Sequence, residues 1–350
     1  MKILKQVMGV DVSQQALDVC LGHLREDLTT ELYKHRVFPN KAQGHIALEQ
    51  WLSKHTDATV PVRIVLEATG VYHQLFASYM DSEGYAISIV LPTKISNYIR
   101  TLEVKTVTDK TCCQALARFG LERKLDNWKK PDPAYEKLRQ LTREREQIVQ
   151  ERTMVKNRLH AEQSEAYPNA NSIKRIEERI GLLNQQEQQI RREIRQIITS
   201  EASIQQGVER ICTIPGIGTL TAVILLAETN GFELVRNKKQ IASYAGLDVR
   251  EKRSGTSVHG KPRISKRGNK YIRKALYLPS LAAARYNPAY KELYTRLVSR
   301  HGIKMKALVA VQRKMLELAY ILHKNQTDFN AQYEQEKRAV ENVLSSQTGS

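Results

Sequence analysis

Residues 135–199 admit few folds. Glu, Gln, Arg and Lys dominate this stretch, yet Ile176, Ile180, Leu183, Ile190, Ile194 and Ile197 recur at alternating spacings of three and four, with one seam position missing. Such a heptad stripe buries one face of a helix against another helix. The earlier part repeats more loosely through Leu141, Ile148 and Val155. Tyr167-Pro-Asn-Ala-Asn171 interrupts the pattern, because proline removes a helix donor and asparagine favours turns. The segment predicts a long antiparallel coiled-coil hairpin, serving either as a dimerisation arm or as a spacer within one chain.

Before the hairpin, strand-like and helix-like stretches alternate. Apolar runs at 7–12, 17–21 and 32–38 predict three successive strands; a helical pattern over 42–52 precedes a strand at 62–66. A helix over 72–82 leads into a strand at 86–91, and helices over 94–102 and 109–122 close the region. Three strands followed by helix and strand in alternation predict an α/β sheet of mixed direction with helices on its faces. After Gln206 the chain reads as mostly helical. The last helix, 304–323, carries Ala307, Leu308, Val311, Met315, Leu318 and Leu322 on one buried face. The expected class is therefore α/β plus all-α, divided at 1–127, 128–205, 206–325 and a polar tail at 326–350.

The 55 Lys and Arg residues against 37 Asp and Glu give a net charge of +18, a field that attracts a polyanion and releases its counterions on binding. Nucleic acid is the first partner this implies, and a solvated basic surface is the bland alternative. The four cysteines, Cys20, Cys112, Cys113 and Cys212, show neither zinc-ligand pairing nor a disulfide framework, so a reducing cytoplasm is expected. The longest apolar run, 220–227, is too short for a bilayer core of about 30 Å, so no membrane partner is expected.

Three acids draw attention. Asp11 lies inside an apolar strand, where a carboxylate without a partner is costly to bury. Glu67 ends the fourth strand, and Asp109 stands at a helix start. Converging at one sheet edge, the three would bind Mg²⁺ through hard oxygens. Taken singly, Asp109 could be a helix cap and Asp11 could be satisfied by backbone donors.

The loop Ile214-Pro-Gly-Ile-Gly218 between helical runs suggests backbone N–H groups at Gly216 and Gly218 open to a phosphate, like a helix-hairpin-helix, or else a plain turn. The basic stretch 250–270 offers Lys252, Arg253, Lys261, Arg263, Lys266 and Arg267 to phosphates. Within it Ser265 reads as the N-cap of a helix over 271–278. Ser254 has no such structural job, and clustered positive charge beside a hydroxyl suits attack on phosphorus.

With Gly-Val-Asp-Val at the first strand, Glu67-Ala-Thr-Gly70, Thr108-Asp-Lys110, Ile214-Pro-Gly-Ile-Gly218, Tyr244-Ala-Gly-Leu247, Ser254-Gly255 and Ser265-Lys-Arg-Gly-Asn269 in order, the chain resembles the DEDD transposases of bacterial insertion sequences. That group includes the Piv DNA invertase and the bridge-RNA-guided recombinases. The resemblance implies an N-terminal RuvC-like domain of RNase H type whose acids hold Mg²⁺, and a C-terminal transposase domain whose serine joins covalently to DNA. Asp11, Glu67 and Asp109 match the first three acids and Ser254 the nucleophile, while Cys112 stands where the fourth acid is expected.

The resemblance further implies strand exchange through a phosphoserine intermediate at a composite site. It implies a homodimer pairing into a homotetramer on DNA, guidance by a bridge RNA, and a cytoplasmic protein associated with the nucleoid when bound. A Mg²⁺-dependent endonuclease of the Holliday-junction type and a non-catalytic nucleic-acid scaffold are the competing readings.

Overall fold

The computed structural model describes residues 2–68, 70–102, 104–251, 253–254, 258–260 and 263–332, with backbone only at 253–254 and 258–259. The chain forms two compact units, 1–130 and 131–350.

In the first unit β1 (Ile3–Val12), β2 (Ala16–Arg25) and β3 (Thr30–Pro39) form an antiparallel meander. The chain then passes through α1 (Ala42–His55) to β4 (Val62–Glu67), and through α2 (His73–Ser82) to β5 (Ala86–Val90). Both later strands run parallel to β1, giving a mixed sheet of order β3-β2-β1-β4-β5. Two further helices, α3 (Pro92–Ile99) and α4 (Asp109–Glu122), complete the unit.

The period-two pleat sorts the residues of β1 between two cores. Met8, Val10 and Val12 pack with Leu48 and Leu52 of α1 and Phe76 and Met80 of α2. Val7 packs with Ile95, Ile99, Leu116 and Leu121, on the side of α3 and α4. Gly9 shares that second face, and there its missing side chain matters: a Cβ would stand 2.2 Å from the carbonyl oxygen of Cys113 and 2.3 Å from the amide nitrogen of Ala117. Helix α4 thus lies backbone to backbone on β1.

The second unit opens with two 31-residue helices, α5 (Pro133–Gln163) and α6 (Ala170–Ser200), packed antiparallel. Asp132 and Asn169 cap their starts. Leu183, Ile190 and Ile194 are buried in the seam, whereas Ile176, Ile180 and Ile197 of the predicted stripe are half-buried and Ile198 takes the last buried position. The missing seam position is Glu187, buried and bound by Arg145, Arg152 and Arg191. These guanidiniums outweigh the cost of burial and pull its carboxyl down to about 2.

The chain continues through α7 (Ala202–Cys212), α8 (Thr219–Thr229) and α9 (Lys238–Tyr244). Four two-residue strands follow: β6 (Val249–Arg250), β7 (Arg253–Ser254), β8 (Val258–His259) and β9 (Arg263–Ile264). The unit ends in α10 (Lys270–Ala275), α11 (Tyr277–Tyr286), α12 (Pro288–His301) and α13 (Lys304–Asn325). Among the described residues no helix is long and apolar enough to cross a membrane.

Candidate active site

Alternation along the sheet brings the first two acids to one place. Val65 faces the α4 side while Ile64 and Leu66 face the other, so Glu67 belongs to the α4 side, as Asp11 does. Val10 is registered against Leu66, which sets the next residues, Asp11 and Glu67, at the same end of neighbouring parallel strands. Helix α4 supplies the third acid. Thr108 caps it, accepting from the Thr111 amide in a capping box, so Asp109 is the first helical residue rather than the cap. Because Gly9 lets α4 rest directly on β1, its first turn reaches the strand end that carries Asp11.

The electrostatics register this convergence. Burial first, then the charges of Asp109 and Glu67, raise the Asp11 carboxyl to about 6. The Cys112 thiol senses the same group: burial, then Asp11, Glu67 and Asp109, push it up to about 11. At the position of the expected fourth acid there is thus a neutral thiol facing three carboxylates. Among the described residues, no three His, Cys, Asp or Glu side chains come close enough to enclose a metal ion. The three predicted acids thus lie within electrostatic reach of one another without closing to metal-ligand spacing.

Asp18 escaped the sequence reading. It is the register partner of Asp11 across the β1–β2 hairpin, adds to the rise of the Asp11 carboxyl, and pairs with His35 at 3.1 Å. A hairpin turn at 13–15 is the signal that would have placed it there.

The basic stretch forms a short stem in the second unit. Val249 and Arg250 pair with Ile264 and Arg263, and further out Arg253 and Ser254 pair with His259 and Val258. Lys252 and Lys261 lie outside the described residues, as do the side chains of Arg253 and Ser254. Arg263, Lys266 and Arg267 are exposed. Ser265 is not the cap of the next helix. Its hydroxyl bonds the Asp248 carboxylate, and Asn269 caps α10 by accepting from the Tyr271 and Ile272 amides. Four residues too early for the cap, Ser265 instead ties the foot of the stem.

Under that foot lies Glu228, a buried acid that the sequence reading did not single out. Arg143 grips both its oxygens at 2.7 Å, and Asn269 Nδ2 donates to it at 2.5 Å. The Tyr244 hydroxyl donates to its carbonyl oxygen. Gly216, at a φ of +93°, turns the loop before α8, and Gly218 caps that helix with open space on its Cα.

Two family comparisons cover most of the chain. Residues 8–168 match the IS110-type DEDD transposases, and residues 208–295 match the transposase IS116/IS110/IS902 family. The chain belongs to the DEDD transposases of bacterial insertion sequences. A pilin gene-inverting protein of Moraxella lacunata is 29% identical to this transposase over 93% of its chain and 98% of the relative. The transposase for insertion sequence element IS1328 of Yersinia enterocolitica is 23% identical over 77% and 81%. Among solved structures, T. thermophilus RuvC in complex with Holliday junction substrate is similar at 11% identity, over 33% of this chain and 97% of that one, with a TM-score of 0.26.

Proposed function

We propose that the chain is a Mg²⁺-dependent DNA recombinase in which Asp11, Glu67 and Asp109 hold the cation and Ser254 attacks a DNA phosphodiester. Transposase activity itself follows from the family. The observation that carries the metal reading is the state of Asp11: every charge that shifts it is another carboxylate, Asp109, Glu67 and Asp18. Three hard oxygen donors that repel one another suit a divalent cation, which would replace their repulsion by shared attraction. When bound, the cation supplies positive charge against the negative charge that develops on the phosphate oxygens.

In this reading the Ser254 oxygen forms a bond to phosphorus as the bond to one deoxyribose oxygen breaks. The proton leaves the serine and the released strand end carries a hydroxyl. The phosphoserine conserves the energy of the broken bond, so strand exchange followed by reversal of the step rejoins DNA without an external energy source. Arg253, Arg263, Lys266 and Arg267, with Lys252 and Lys261, neutralise phosphates along the strand, and the amides at Gly216 and Gly218 hold the backbone without reading sequence.

Guidance by a bridge RNA rests on the family resemblance and on the basic charge. The helical hairpin is the dimerisation arm; Met154 and Leu182, large apolar residues exposed along it, support that role. An RNA of defined sequence copurifying with the protein, and a dimer becoming a tetramer on DNA, are the expected results.

The deciding experiment is denaturing electrophoresis after incubation with Mg²⁺ and element-end DNA. A protein–DNA adduct should form and should vanish for Ser254→Ala and Asp11→Asn. One observation favours a second reading, in which the acids activate water: a carboxyl raised to about 6 can accept a proton near neutral pH. That reading predicts nicked DNA without adduct, retained by Ser254→Ala.

A further inference from the structure

The edge of the first unit that carries the acids also exposes apolar side chains that its cores do not use. Among the described residues of this unit ten large apolar side chains are exposed, and six of them fall in three short segments: Val71, Tyr72 and Leu75; Leu91; Val104 and Val107. The first segment leaves the end of β4, the second leaves the end of β5, and the third leads into α4. These are the strand ends and the helix start that place Glu67 and Asp109. Leu75 is 78% exposed, Val71 64%, Val107 61% and Leu91 59%. Apolar exposure concentrated at one edge marks a contact surface, whereas single apolar residues scattered over a surface mark nothing.

Charge identifies what the surface meets. Over residues 70–75 and 91–110 the cations are Lys94, Arg100, Lys105 and Lys110, all exposed, against two acids, Glu103 and Asp109 itself. A second copy of a chain with a net charge of +18 gains no net electrostatic attraction from such an edge. A nucleic-acid strand does, because its phosphates take the lysines. Paired duplex, however, presents phosphates and sugars and keeps base faces stacked inside, leaving the apolar groups with nothing to cover them. Exposed base faces beside a phosphate chain belong to unpaired nucleotides, which bind where cations and flat or apolar side chains alternate.

We propose that this edge seats unpaired DNA nucleotides on either side of the phosphate delivered to the acids, with bases against Tyr72, Val71 and Leu75 on one side and Leu91 and Val107 on the other. Tyr72 is the stacking platform. Its carbonyl oxygen accepts from Asn40 Nδ2, which also donates to Ser13, so the segment is pinned to the β1–β2 turn beside Asp11. The proposal rests on the DNA-recombining reading of the acid site and adds the strand state that the site accepts: melted or flipped nucleotides rather than intact duplex.

The test measures binding of the full-length protein, with chelator present, to a 30-base-pair duplex and to the same duplex with a central four-nucleotide bubble containing 2-aminopurine. The bubble should bind about tenfold more tightly, and stacking on Tyr72 should quench the 2-aminopurine. Tyr72→Ala and the double variant Leu75→Ser/Val107→Ser should each lose most of that preference while binding intact duplex within about twofold of wild type; Tyr72→Phe should keep it. Equal binding of bubble and duplex by the wild type overturns the proposal, as does a preference that survives both variants. If the variants change sedimentation of the free protein and leave bubble binding alone, the edge is a protein interface and the proposal is wrong. Asp11→Asn separates this from the activity: it should keep the preference for the bubble over duplex yet lose about a thousandfold in cleavage, so a failure of catalysis and a failure of strand seating are read independently.

Discussion

Asp11 and Glu187 are both carboxylates drawn out of water, one in each unit, and they titrate in opposite directions. Glu187 has three arginines around it and is held near 2; Asp11, raised first by burial, has only carboxylates among the charges that bear on it and is held near 6. Glu228, likewise buried, has both oxygens on Arg143 and a third bond from Asn269, so it too is paired from within its own unit. A fold that needs an acid inside it supplies a cation from its own side chains. Where acids gather and the fold supplies more acids instead, the neutralising charge comes from elsewhere. The second unit spends its buried acids on holding helices together; in the function proposed above, the first would keep its acids for a cation.

Exchanging each acid for its amide should separate the two kinds most sharply. Asp11→Asn should lower strand cleavage about a thousandfold, the equivalent of about 4 kcal/mol of transition-state stabilisation. The same change should leave the chelated protein at least as stable as wild type at pH 7, since it removes repulsion. Glu187→Gln should do the reverse, costing about 2 kcal/mol in urea unfolding because Arg145 and Arg152 lose their counter-charge, while the chemistry of cleavage is untouched. A destabilised Asp11→Asn or a neutral Glu187→Gln would break the distinction.

A smaller effect comes from Cys112→Asp. It restores a fourth carboxylate to the cluster and should tighten Mg²⁺ or Mn²⁺ binding about tenfold by calorimetry, or about 1.4 kcal/mol, since affinity at oxygen sites follows ligand charge.

The most delicate test is pH. Asp11 is held above its ordinary 3.8, so its contribution to stability is complete below that value and is lost as pH rises through about 6. Glu187 is held below its ordinary 4.5, so its contribution is complete above that value and is lost as pH falls towards about 2. Urea midpoints of the two amide variants, each compared with chelated wild type from pH 3 to pH 8, should diverge in opposite directions.

Much of this was legible because the signals are local. An aspartate flanked by valines announces itself, and the pleat that alternates Val7, Gly9 and Asp11 against Met8, Val10 and Val12 could be counted from the sequence alone. The hairpin was legible for the same reason, since its stripe is periodic. Glu187 was not: it read as a gap in that stripe, and two of the arginines that fill the gap, Arg145 and Arg152, come from the other arm, some 40 residues earlier in sequence. Ser265 was misplaced because both it and Asn269 are good capping residues, and only the bond to Asp248 decides between them. Asp18 needed the turn at 13–15 to set its register against Asp11, and Glu228 depends on packing between helices, which spacing does not encode.

Gly9 carries no charge, binds nothing and stands two residues from Asp11. A helix resting on a strand with no side chain between them has no cushion to absorb a change, so Gly9→Ala would have to lift α4, and Asp109 and Cys112 would rise with it. The tolerance of this acid cluster to mutation is therefore set in part by a hydrogen atom on the sheet.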